Sequence, residues 1–116
     1  MSIETTILLS NVSTEAVGYS EKQKGAGYNR RNDGLHTVVF DVDAFNGVIT
    51  VQATLELYPG ENDWFDVSSV DYTGVGDSTV ANYTTTASDN FTGNFVWIRA
   101  KYDIADGTIV SVRYNY

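Results

Sequence analysis

"FNGVITVQATLEL", residues 45–57, decides how the rest of the chain is read. From Val48 onward large and polar side chains alternate. Ile49, Val51, Ala53, Leu55 and Leu57 fall on one side, and Val48, Thr50, Gln52, Thr54 and Glu56 on the other. A period of two sets one row against a core and the other toward solvent, the pattern of a half-buried strand in an antiparallel sheet. Asn46-Gly47, just before it, is a strong hairpin signal, because such a pair tolerates the positive φ angles of a tight turn. The spacing therefore predicts a strand over 36–42, a turn over 43–47 and a second strand over 48–57.

The same period returns in "NFVWIRAKYDIADGTIVSVRYNY", residues 94–116. Val96, Ile98, Ala100 and Tyr102 share one face; Phe95, Trp97, Arg99 and Lys101 share the other. After "DIADG", Val110, Val112, Tyr114 and Tyr116 oppose Ile109, Ser111, Arg113 and Asn115. The reading is a final hairpin, 94–102 with 108–116, whose last tyrosines pack with their hydroxyls near the rim. Between and before these runs, the chain predicts a first strand over 3–9 and a turn cluster over 58–63 around the single proline. A strand over 64–70, a glycine-bearing loop over 71–78, a polar edge strand over 79–86 and a turn over 87–93 follow. No stretch holds a helical period. Many short strands at this spacing predict an all-β fold, one antiparallel β-sandwich of jelly-roll-like kind. The 116 residues suit one domain, 1–116.

Residues 18–34, "GYSEKQKGAGYNRRNDG", break the period and read as an extended polar loop or arm. They also hold most of the positive charge. The chain as a whole is at −8. Within 19–34, Lys22, Lys24, Arg30 and Arg31 outnumber Glu21 and Asp33, giving +2 and leaving −10 on the rest. So acidic a body repels nucleic acid. Tyr19 and Tyr28 interleave with these cations, which suits an arm reaching an acidic neighbour, such as another copy of the chain. The first ten residues lack the basic start and apolar run of a signal peptide, and no apolar run approaches membrane-spanning length; neither secretion nor a membrane partner is expected. The sequons at Asn11, Asn82 and Asn90 are then strand and loop composition. No cysteine is present, which removes disulfides, thiol nucleophiles and thiolate metal sites.

Catalytic chemistry is sparsely represented. His36 is the only histidine, at the start of a predicted strand, and no nucleophile elbow accompanies it. Asp41 with Asp43, Asp63 with Asp66, and Asp103 with Asp106 are carboxylate pairs, but each sits beside turn residues, where solvent-facing acids are ordinary. Gly25-Ala26-Gly27 and Gly74-Val75-Gly76 lack the Lys-Ser/Thr and the helix of a phosphate loop. No catalytic residue, metal ligand or cofactor is expected. Trp64 and Trp97 are the residues that a sugar ring could stack on. Trp97 also shares its face with Arg99 and Lys101, a mixture that suits an interface better than a dry core.

"FNGVITVQATLELYPGENDWFDV" together with "FTGNFVWIRAKYDIADGTIVSVRYNY" resembles a small β-sandwich module of structural proteins in tailed bacteriophages, cyanophages among them. Phe45–Gly47, Trp64-Phe65, Gly93–Ala100 and Gly107-Thr108 carry the resemblance, which covers residues 36–116. "PGEND", before Trp64, departs from the tighter Asp-Gly turn of the commoner form. Similar strings occur in carbohydrate-binding sandwiches. The resemblance implies a non-enzymatic virion component, with no catalytic residues to carry over. The favoured role is a capsid decoration (cement) protein that binds its own copies, as a trimer, and other virion proteins such as the major capsid protein. The alternatives are a neck, tail or fibre subunit, and a carbohydrate-binding module with Trp64 or Trp97 as platform. The expected interface residues are Lys22, Lys24, Tyr28, Arg30, Arg31, Trp97, Arg99 and Lys101, and the expected location is the virion, assembled in the host cytoplasm.

Overall fold

A computed structural model describes residues 5–13, 17–25, 27, 35–72 and 83–115. Its strands are β1 (Thr6–Val12), β2 (Val17–Tyr19), β3 (Gln23–Lys24), β4 (Leu35–Thr54), β5 (Phe65–Asp71), β6 (Tyr83–Thr92) and β7 (Trp97–Asn115), with one 3-10 turn at Glu61–Asp63. All pairings are antiparallel. Among the described residues no helix is long and apolar enough to cross a membrane.

The two long strands organise everything else. β4 and β7 pair along their whole lengths, from Thr37 opposite Asn115 to Thr54 opposite Trp97. Twenty extended residues would span about 66 Å, yet the longest dimension of the molecule is 47 Å, so β4 must bend. Contacts between its ends show how far. Phe95 lies 5.6 Å, ring centroid to centroid, from His36 near the start of β4, and 5.6 Å from Phe65, which is opposite Ala53 near its end. The ends of β7 meet as well: the Tyr114 hydroxyl donates to the carbonyl of Lys24 at 3.1 Å, and Lys24 is opposite Trp97. One continuous sheet is thus folded across itself into a β-sandwich. The first layer runs β6, β4 (35–45), β7 (106–115), β1; the second runs β5, β4 (47–54), β7 (97–104), β2 and β3. On one open side the Ser68 hydroxyl of β5 donates to Asp89 of β6 at 2.6 Å, tying the layers together.

Bulges make the corner. The β4–β7 register slips between Asp43 and Asn46 and again between Asn46 and Gly47. An inserted residue reverses the in–out alternation of a strand. His36, Val38, Phe40 and Val42 therefore point inward before the corner, and Phe45, Ile49, Val51 and Ala53 after it. Both apolar rows reach the same core, joined by Ile98, Ala100, Ile104, Ile109, Val112 and Tyr114 of β7.

Several expectations are corrected here. Asn46-Gly47 does not turn the chain, and neither does "DIADG": each lies inside a long strand, at facing bulges. The hairpin 94–102/108–116 does not form; both arms are one strand. Ala87 to Thr92 belong to β6 rather than to a turn, and residues 93–96 connect it to β7. Leu55 and Leu57 follow the end of β4 and are exposed. β1 starts later than predicted, and residues 3–4, 73–82 and 116 lie outside the described residues. His36 does stand near the start of a strand, as expected, but is wholly buried there, stacked on Phe91 (4.9 Å) and Tyr114 (5.7 Å).

The segment expected to be a loop or arm is, where described, bound to its own chain. Val17–Tyr19 and Gln23–Lys24 pair with β7. Between them Ser20 clasps Ala100, its N–H donating to the carbonyl at 2.7 Å and its hydroxyl accepting from the Ala100 N–H at 2.8 Å. Gly25 and Gly27 donate to the carbonyls of Val96 and Phe95, both at 2.8 Å.

Candidate functional site

Because β2 and β3 lie against β7, the outer face of the second layer gathers side chains from five distant stretches. Trp97, Arg99 and Lys101 point outward from β7, since Ile98 and Ala100 point inward. Arg99 is held between two rings. Its Cζ lies 4.2 Å from the centroid of Tyr19 and 4.2 Å from that of Trp64. Its Nε donates to Gln52 Oε1 at 2.9 Å, and Gln52 Nε2 donates to Asp66 Oδ1 at 3.0 Å. Lys101 Nζ lies 6.0 Å from the Tyr19 ring, and Lys22 Nζ lies 5.0 Å over Trp97. Cation–π contacts of this kind contribute about 0.5–1 kcal/mol each at exposed positions.

Trp97 is fixed in a second way: its indole Nε1 donates to the Leu57 carbonyl at 2.8 Å. That bond draws the segment after β4 over the sheet and makes a groove of about 480 Å³, lined by Lys22, Leu57, Tyr58, Pro59 and Trp97. Tyr58 is 89 % exposed. The 3-10 turn that follows is closed reciprocally, Gly60 N–H donating to Asp63 Oδ2 (2.7 Å) and Asp63 N–H to the Gly60 carbonyl (3.1 Å).

Of the expected site residues, Lys22, Trp64, Trp97, Arg99 and Lys101 come together on this face. Lys24, exposed on β3, is opposite Trp97. Tyr28, Arg30 and Arg31 lie outside the described residues. Sequence reasoning missed the roles of Tyr19, Gln52 and Tyr58. A tyrosine beside the only proline was the one available signal for the last; the others depend on pairings across most of the chain. Members of all three carboxylate pairs accept hydrogen bonds within the fold, Asp63 and Asp66 as given above. Asp41 and Asp43 accept from the hydroxyls of Thr86 and Thr84, both at 3.2 Å, and Asp106 accepts from the Gly107 N–H at 2.9 Å.

A planar guanidinium between two rings cannot be replaced by an ammonium of similar charge. Arg99→Lys is expected to lower unfolding stability by about 1–2 kcal/mol and to change the emission of Trp64. Chemical denaturation followed by tryptophan fluorescence measures both, and an unchanged midpoint would refute a fixed Tyr19–Arg99–Trp64 stack.

No family model and no curated protein matches the chain. Solved structures do. Over 98 % of this chain and 91 % of the other, it superposes on the SPBc2 prophage-derived protein YomS with a TM-score of 0.61 at 11 % identity. Over 99 % of this chain and all of the other, it superposes on the C-terminal CBM6 of LamC, a marine laminarinase from Zobellia galactanivorans, with a TM-score of 0.52 at 9 % identity. The K2 cleaved adhesin domain of Lys-gingipain gives 0.52 at 11 % identity, over 97 % of this chain and 67 % of that one. At such identities these likenesses establish the fold alone: the chain is an antiparallel β-sandwich similar to a prophage-derived protein and to a carbohydrate-binding module.

Proposed function

We propose that the chain is a non-enzymatic structural protein of a bacteriophage virion, a capsid decoration subunit that acts by associating with its own copies and docking on other virion proteins. The observation that carries this reading is the outer face of the second layer. Ordered aromatic rings and cations, with Tyr58 fully displayed at the edge, have the composition of an interaction surface rather than of a catalytic cleft. The cationic character of that face on an acidic body favours an acidic partner surface. The shared fold with a prophage-derived protein supports the reading at the level of architecture.

Antibody raised against the purified chain and applied to particles of the encoding phage tests the proposal by immunogold microscopy. Regular label over the heads is expected. Label confined to neck, tail or fibres would move the subunit there, and unlabelled particles would overturn the virion reading.

The groove beneath Tyr58 favours a second reading, a carbohydrate-binding module, because a sugar can stack on a displayed ring beside Trp97. Trp64 does not line the groove, and Arg99 lies closer over it (4.2 Å) than Lys22 Nζ lies over Trp97 (5.0 Å), which makes Trp64 the poorer platform. In a glycan screen, a bound sugar is expected to be lost with Tyr58→Ala or Trp97→Ala and retained with Trp64→Ala. Loss with Trp64→Ala alone would contradict that placement of the groove.

A further inference from the structure

A sheet edge is a row of unpaired N–H and C=O groups, and proteins blunt such edges with short strands, bulges, charge, lysine or proline. Three edges of this sandwich are blunted. β1 carries a register slip between Ile7 and Leu9 and a left-handed Asn11. β2 and β3 are three and two residues long. β5 slips in register against β4 and has Asp66 as its second residue and Asp71 as its last.

β6 differs from all of them. It is ten residues long, "YTTTASDNFT", without proline, lysine or arginine. It pairs with β4 without a slip from Leu35 opposite Thr92 to Val42 opposite Thr85. Among the described residues no strand pairs with its other edge. Its one charge, Asp89, already accepts a hydrogen bond from Ser68.

We propose that this edge is a self-association surface: a second copy of the chain adds its own β6 antiparallel to it across a two-fold axis, joining the two first layers into one wider sheet. The inference specifies the self-association part of the function proposed above and rests on that reading. The occupant follows from the strand itself. A two-fold axis perpendicular to the sheet keeps each face on its own side, so residues of like parity must face each other. The axis then passes through Ala87 or Ser88 near the middle of the strand. In the first case Thr86 faces Ser88, Thr84 faces Asn90 and Asp89 faces Thr85. In the second, Ser88 faces itself, Thr86 faces Asn90 and Asp89 faces Ala87. Neither register opposes two charges, and both line the outer face with hydroxyl and amide pairs that hydrogen-bond across strands. The contact is isologous and closes at two copies, unlike the trimer implied by the resemblance.

Light scattering at micromolar concentration is expected to give twice the 12.8-kDa chain mass. Thr86→Lys/Ser88→Lys places two lysines on the exposed face and sets like charges opposite each other in either register. It should stay folded by circular dichroism while the dimer dissociation constant rises at least about tenfold. A proline scan gives a backbone test. Successive strand residues direct their N–H groups to opposite edges, so of Ala87→Pro and Ser88→Pro one should keep the fold and lose the dimer, and the other should damage the pairing with β4. A monomeric wild type, a mass of three chains, or a dimer unmoved by the lysines would overturn the β6 contact without bearing on particle labelling. Unlabelled particles would overturn the virion reading and leave a β6 dimer standing.

Discussion

Gly107→Ala is expected to destabilise the protein by about 3 kcal/mol or more, an unusually large loss for one added methyl group. Gly107 has φ +83°, a left-handed conformation that costs any residue with a Cβ. A Cβ there would also land on the carbonyl of Ala44, the residue across the corner that itself has φ +49°. Backbone faces backbone, so no side chain can swing aside. Urea denaturation should show the midpoint falling with the slope unchanged. A loss below about 1 kcal/mol would mean that the two bulges are not interlocked as described.

Phe95→Ala is expected to cost about 3–5 kcal/mol. The ring precedes β7 and touches both layers, with His36 and Phe91 (6.1 Å) on one side and Phe65 on the other. No strand of the core can shift to fill the space without breaking its ladder, so a cavity remains. At 4–8 °C per kcal/mol for a domain near this size, the melting temperature should fall by roughly 12 °C or more. A shift of only about 3 °C would show that Phe95 closes the rim rather than spanning the core.

How legible these features were in the sequence depends on how local they are. The faces of 48–53 and 97–102 follow from a period of two, and the structure places Ile49, Val51, Ala53, Ile98 and Ala100 in the core with Trp97, Arg99 and Lys101 outside. Phe95 and Ile109, expected on the face opposite the core rows of their arms, are buried in the core as well, because the alternation does not hold before β7 or through its bulge. The all-β sandwich follows from the same pattern. Asn46-Gly47 and Asp106-Gly107 misled because a tight turn and a bulge ask for the same chemistry, a residue at ease with positive φ. What separates them is the residue across the strand pair. Gly47 lies against the Asp103 carbonyl and Gly107 against that of Ala44, and neither neighbour is near in sequence. The Tyr19–Arg99–Trp64 stack was hidden for the same reason. Each member was visible as an aromatic or a cation, but their meeting requires β2 to cross most of the chain and lie beside Lys101.

The continuous pairing of β4 with β7 also sets the order in which the chain can acquire its structure. Its nearest partners in sequence are Thr54 and Trp97, and its most distant are Thr37 and Asn115. Closing the smaller loop costs less entropy, so pairing is favoured to begin there and to zip toward the chain's far ends. The facing bulges stand midway, and every rung beyond them waits until both extra residues are accommodated. Such a route is non-local throughout, which places folding in the slow, millisecond-to-second range of β-sandwiches. Since both strands run through both layers, neither layer can open by itself without tearing the ladder that holds the other, and loss of structure should come in one cooperative step.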